Sequence, residues 1–126
     1  MSNLLLDTDI LINLLRGNVA ARDFLANHLE ENELLCSVVS VAEIWAGMRP
    51  HEELATRRLL DSLKIVDVNR DMAMKAGSFK GTTKSHALEL DDCLIAATAF
   101  CTGATLATGN GKHYPMKDIV MIVVKM

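Results

Sequence analysis

Two aspartates interrupt the apolar stretch "LLLDTDILI", Leu4 to Ile12, at Asp7 and Asp9. Further along, "SVAE" ends on Glu43, "LDDCLIAATAF" begins with Asp91 and Asp92, and "TGNGKH" carries Asn110 and His113. Taken singly, each has an ordinary structural use. Asp7 or Asp9 can cap a helix, and Asp91 and Asp92 favour the positive end of one. Ser40 and Glu43 have capping-box spacing, and Asn110-Gly111 is a turn dipeptide. Taken together they ask for more, since Ser, Thr or Asn would satisfy caps without charge. Carboxylates gathered at one place repel and raise each other's pKa unless a cation sits among them. Hard oxygen ligands select Mg²⁺ or Mn²⁺ over zinc, and such an ion activates water and steadies charge on a phosphate.

The surrounding pattern says what must position these groups. Asn3 to Leu6 reads as a buried strand, and Asp9 to Arg16 as a helix closed by Gly17-Asn18. Val19 to Glu31 reads as a helix with Val19, Phe24, Leu25 and Leu29 inward, then Leu34 to Val39 as a strand. Ser40 is expected to open the next helix, which Pro50 ends or restarts, and Glu52 to Leu63 has leucines at helical spacing. Lys64 to Val68 reads as a strand, Asp71 to Phe79 as a helix, and Gly81 to Ser85 as a break. Leu90 to Phe100 is a strong helix, Thr105 to Ala107 a strand, Gly109 to Pro115 a loop and Ile119 to Val124 a last strand. Strands alternating with helices over short connections imply a three-layer α/β/α fold with a small, mostly parallel sheet. Ligands in such sheets lie beyond the carboxyl ends of the strands, where strand order switches. Asp7 and Asn110 fall at such ends, and Asp7, Glu43 and Asp92 are each expected where a helix starts.

Composition sets the limits. The chain has 126 residues, enough for one core and one domain spanning 1–126, and a net charge of −3 that leaves any basic footprint local. Cys36, Cys93 and Cys101 lack zinc-ligand spacing and read as reduced core thiols of a cytoplasmic protein. No basic region precedes the first apolar run, and no window approaches the roughly 18 apolar residues of a membrane helix. His28, His51, His86 and His113 form no zinc pattern, and only His113 adjoins a motif.

"LLLDTDILI", "SVVSVAEIWAG", "LDDCLIAATA" and "LATGNGKHYP", in this order and spacing, resemble the PIN-domain ribonucleases, above all the toxins of VapBC toxin–antitoxin pairs. The likeness runs from Leu4 to about Val124. It implies a metal-dependent endoribonuclease in which Asp7, Glu43 and Asp92 bind one or two Mg²⁺ or Mn²⁺ ions. These would orient a water for in-line attack, leaving 5′-phosphate and 3′-hydroxyl ends. The resemblance further implies a homodimer, a VapB-type antitoxin laid across the cleft, and a structured tRNA or rRNA as substrate. Asn110 stands where many members keep a fourth acid and adds no charge, and His113 occupies a slot where some carry Asp. Asp91 is a substitute for the missing acid or a solvated first-turn residue. Asp9 is expected behind the ligands, and Thr8 and Thr108 on metal-bound water, on phosphate or in caps and turns.

RNA requires positive charge. Arg49 and Lys112 follow active-site motifs and are the best phosphate contacts, while Arg57 and Arg58 read as a solvated helix face. Tyr114 is a base-stacking, core or partner residue, and Trp45 core or interface. Three other readings compete. A haloacid dehalogenase-like phosphatase would use Asp7 as nucleophile and Asp9 as acid, but Leu11 stands where that pattern wants Thr or Val. A response-regulator receiver would pair its acids as neighbours after the first strand. A catalytically decayed PIN-domain binding protein would keep only the partner surface.

Overall fold

A computed structural model describes residues 2–84 and 88–126. Five parallel strands form one sheet, β1 (Ser2–Leu6), β2 (Asn32–Ser37), β3 (Lys64–Val66), β4 (Thr105–Thr108) and β5 (Met121–Val123), in the order β3-β2-β1-β4-β5. The helices are α1 (Thr8–Leu15), α2 (Val19–His28), α3 (Val38–Gly47), α4 (Glu53–Asp61), α5 (Arg70–Thr82) and α6 (Leu90–Thr102). Short 3₁₀ turns cover Pro50–Glu52 and Gly111–His113.

The sheet separates two apolar clusters because successive strand side chains face opposite ways. Leu5, Leu35 and Leu106 pack with Met72, Ala76 and Phe79 of α5 and with Ile95, Ala96 and Ala99 of α6. Leu4, Leu6, Leu34 and Cys36 face the other side and pack with Ile10 and Leu11 of α1 and Ile44 of α3. Central β1 is therefore buried on both faces, which explains why "LLL" has no polar alternation. This is the expected three-layer arrangement, and every strand pairing is parallel. After β1 the chain moves outward to β2 and β3, then returns to the opposite side of β1 with β4. Strand order thus switches between β1 and β4, and both carboxyl ends open on the same edge.

Several local expectations shift. Ser37, not Ser40, caps α3: its side chain accepts the amide of Val39 at 3.1 Å. Ser40 and Glu43 therefore lie inside the helix, and no capping box forms between them. Helix α2 stops at His28, with Val19 and Leu29 exposed and small Ala21 as its buried residue. Helix α5 runs through Gly81 and Thr82, so the expected break begins later; Ser85 and His86 lie outside the described residues. Cys36 and Cys93 are buried thiols, but Cys101 is exposed. Edge strands β3 and β5 are shorter than their apolar runs, which leaves little unpaired backbone at either edge. No helix among the described residues is long and apolar enough to cross a membrane.

Helix α6 must stop sharply so that the chain can turn back into β4. Gly103 makes that stop in the left-handed region, with φ of 70°. A Cβ there would meet nothing within 4 Å, so a substitution costs backbone conformation alone. Gly103→Ala is expected to lower unfolding stability by about 1 kcal/mol, read as a reduced urea midpoint with an unchanged slope.

Candidate active site

Asp7 is set by three donors. It follows β1 and caps α1, its backbone N–H donates to Ala107 O of β4 at 2.9 Å, and the residue is only 7% exposed. Thr8 N–H donates to Oδ1 at 2.7 Å. The Thr108 hydroxyl donates to Oδ2 at 2.8 Å, and the buried Tyr114 hydroxyl to the same oxygen at 2.9 Å. Charge-assisted bonds of this kind hold a buried carboxylate in one orientation.

Around Asp7 the other acids arrive from separate elements. Glu43, on α3, accepts from Thr8 Oγ1 at 2.7 Å, and that hydroxyl also shares a hydrogen bond with buried Ser40 at 2.8 Å. Asp91 and Asp92 come from the first turn of α6. Asp9 Oδ2 accepts the Gly109 amide at 2.9 Å, tying α1 to the loop after β4. That loop comes close: a Cβ on Gly109 would stand 2.8 Å from Asp9 Oδ2. Asn110 donates its amide N–H to Thr108 Oγ1 at 3.0 Å, and its side chain bonds His113 Nε2 at 3.1 Å. His113 Nδ1 lies 3.8 Å from Asp92 Oδ2. A cleft of about 320 Å³ is lined by Asp7, Thr8, Asp9, Ile12, Glu43, Glu89, Asp91, Asp92, Asn110 and His113.

The electrostatics follow from this crowding. Burial first, then the carboxyl group of Asp91 and the charge of Asp7, push Glu43 up to about 7, against the pull of the Thr8 hydroxyl. Burial, then Asp91, with a smaller push from Asp7, raise Asp92 to about 6, while His113 pulls the other way. Asp9 is also raised, by burial and then by Asp7. Six carboxylates line the cleft, and His113 is the one lining side chain among the described residues that can carry positive charge.

The donor set suits a divalent cation. All six acids offer hard oxygens, and Asp9 Oδ1 is buried without a hydrogen-bond partner, a gap that a cation or its water would fill. Among the described residues, no group of three or more histidine, cysteine, aspartate or glutamate side chains is placed so that together they could hold a metal ion. Mg²⁺ is usually held by one or two carboxylates and keeps several waters, so an open acidic cleft fits it better than a closed cage would.

Every residue expected at the catalytic centre lines this cleft: Asp7, Glu43, Asp92 and Asn110, with Thr8, Asp9, Asp91 and His113. Thr108 lies beneath it, its hydroxyl on Asp7. Arg49 and Lys112 are exposed and do not line it; the Arg49 amide caps the 3₁₀ turn through Glu52. Trp45 is 38% exposed, with the Arg57 guanidinium 4.9 Å from its ring centroid. Sequence reading missed Tyr114 as a partner of Asp7, Ser40 as a partner of Thr8, and Glu89 at the rim. For Tyr114 the only signal was a phenol just after an active-site loop, which does not reveal the direction of its hydroxyl.

An open parallel sheet with carboxylates gathered at its switch point defines the class, an α/β protein with an acidic cleft suited to a divalent cation. A family model described as the PIN domain matches residues 4–118. The chain belongs to the PIN-domain family. It is 43% identical over 115 residues to ribonuclease VapC10 of Mycobacterium tuberculosis, covering 90% of this chain and 86% of that protein. It is 34% identical to ribonuclease VapC19 of the same species, covering 89% and 92%. A toxin–antitoxin complex from Klebsiella pneumoniae superposes with a TM-score of 0.78 at 29% identity, covering 93% of this chain and 95% of that one. VapBC2 from Rickettsia felis, bound to promoter DNA, shares the fold with a TM-score of 0.81 at 20% identity, covering 98% and 99%.

Raised carboxyl pKa values mean that the folded protein holds protons the unfolded chain has already released. Without divalent cations, stability is therefore expected to fall as pH rises from about 4 toward about 7, through the windows of Asp92 and Glu43. Adding Mg²⁺ or Mn²⁺ should raise the melting temperature at pH 8 and do little at pH 5. A cation effect equal at both pH values would contradict the linkage.

Proposed function

We propose that this protein is a Mg²⁺- or Mn²⁺-dependent endoribonuclease, acting in the cytoplasm as the toxin of a type II toxin–antitoxin pair. The observation that carries the reading is the convergence of Asp7, Glu43 and Asp92, from three separate elements, on one acidic cleft. Kinship with proteins named ribonucleases at 43% and 34% identity supports the same activity. In this reading Asp7, Glu43 and Asp92 hold the ion and Asp91 adds charge beside them. When bound, the ion supplies an acidified water for attack on a phosphodiester and positive charge against the phosphate oxygens.

The chain's own residues do the rest. Thr108 and Tyr114 fix Asp7, Thr8 fixes Glu43, and Asp9 anchors the loop that presents Asn110 and His113. Asn110 holds the imidazole through Nε2, which leaves Nδ1 toward Asp92 and the cleft. Lys112, exposed on the same turn, and Arg49 farther out draw the RNA backbone in. A cleft this acidic would repel RNA unless a bound cation neutralised its charge. The same acidity suits a VapB-type antitoxin that places a basic side chain among the carboxylates. A homodimer and a structured tRNA or rRNA substrate complete the proposal. The phosphatase alternative has less support, because Asp9 Oδ2 is engaged by the Gly109 amide and the relatives are ribonucleases.

Purified protein incubated with total tRNA or rRNA and Mg²⁺ is expected to yield discrete fragments with 5′-phosphate ends. EDTA should abolish them. Asp7→Asn should reduce the rate by more than the roughly 10–100-fold typical of losing an outer partner of a metal site. Cleavage that survives both treatments would overturn the proposal.

A further inference from the structure

Asp7 has few acceptor positions left. An ionised carboxylate offers about four lone-pair sites, two on each oxygen. On Oδ2 both are taken, by the hydroxyls of Thr108 and Tyr114 at 2.8 and 2.9 Å. On Oδ1 one is taken by Thr8 N–H at 2.7 Å. We propose that Thr108 and Tyr114 act as positioning residues that restrict Asp7 to one free coordination site, on Oδ1, and thereby bias the cleft toward Mg²⁺ and Mn²⁺ against Ca²⁺. The inference rests on the reading that this cleft holds a divalent cation.

Both donors are locked in place. Thr108 Oγ1 accepts the Asn110 amide N–H at 3.0 Å, which leaves its proton for Asp7. Thr108 is fully buried at the end of β4, its carbonyl accepting from Val124 N–H at 2.8 Å. Tyr114 is 3% exposed, packs in the cluster with Leu5 and Leu106, and donates its amide to Gly111 O at 3.1 Å. Burial and the neighbouring Asp7 charge push the phenol pKa above its ordinary range, so Tyr114 stays a donor.

Cation size turns this into selectivity. Ca²⁺ takes six to eight oxygens at about 2.3–2.6 Å and readily uses a carboxylate bidentately. Mg²⁺ keeps near-octahedral geometry at about 2.0–2.1 Å and retains water, so one carboxylate oxygen suffices. A pinned Oδ2 denies Ca²⁺ chelation by Asp7 and costs Mg²⁺ little. Removing a donor frees that oxygen.

Isothermal titration of Mg²⁺ and Ca²⁺ into the wild-type protein, Tyr114→Phe and Thr108→Val tests this without measuring cleavage. Tyr114→Phe keeps the ring, Thr108→Val keeps the shape, and circular dichroism checks the fold of each. The ratio of Ca²⁺ to Mg²⁺ affinity is expected to rise in both variants by on the order of tenfold, the lower end of what outer-partner changes do. A purely structural role would weaken both ions alike and leave the ratio where it was. An unchanged ratio in a folded variant, with Mg²⁺ binding intact in the wild type, overturns this inference and leaves the nuclease reading standing. Wild-type protein that binds neither ion overturns both.

Discussion

Mutual repulsion among carboxylates at the carboxyl edge of the sheet is the constraint around which the molecule is organised. Six of them share one cleft, where burial first, and the neighbouring acids after it, raise the pKa values of Asp9, Glu43 and Asp92. A fold selected only for stability would spread these charges or replace them with neutral caps. Their convergence makes sense when a cation is part of the working state. Under the proposed function, a bound cation would relieve that repulsion, which would then add to the affinity for the ion.

Such a cluster needs a scaffold that will not relax away from it. Leu4, Leu5 and Leu6 anchor β1 between two apolar clusters, so Asp7 leaves the sheet at a position set by burial on both faces. Helix α6 carries Asp91 and Asp92 on a rod whose next turns are almost wholly buried, from Cys93 to Ala99. Helix α3 carries Glu43 and Ser40, and the Thr8 hydroxyl bonds both. The acids cannot move apart without moving helices that are packed against the sheet. Preorganisation of this kind lets a site hold charge in an arrangement that free chains avoid.

The hydrogen bonds sort the acids by task. Asp7, held by Thr8, Thr108 and Tyr114, is a rigid reference point. Glu43 accepts from one hydroxyl and faces Asp91, and Asp92 faces His113, so both remain more dependent on what enters the cleft. Asp9 works mainly on the loop, through Gly109. One carboxylate type thus meets three different settings, according to the donors around each.

Much of this was legible in the sequence. Apolar runs of strand length, each followed by helical spacing, specify an α/β sheet because burial on both faces requires unbroken apolar residues. The acids of the site stand out because charge at the border of such runs is costly without a purpose. Reading along the chain went wrong where local signals competed. Ser37 and Ser40 are both good caps, and β2 runs on to Ser37, paired with Val66 of β3, so the helix starts after Ser37. Val19 and Leu29 have apolar side chains at helical spacing, yet α2 lies at the periphery and turns them outward. The partnership of Tyr114 with Asp7 joins residues 107 apart in sequence, and that of Thr8 with Glu43 joins residues 35 apart. Pattern and composition record which side chains must be buried and where charge is concentrated. Which hydroxyl meets which carboxylate depends on the strand order β3-β2-β1-β4-β5, which brings the ends of β1 and β4 side by side, and that is settled by packing between distant segments.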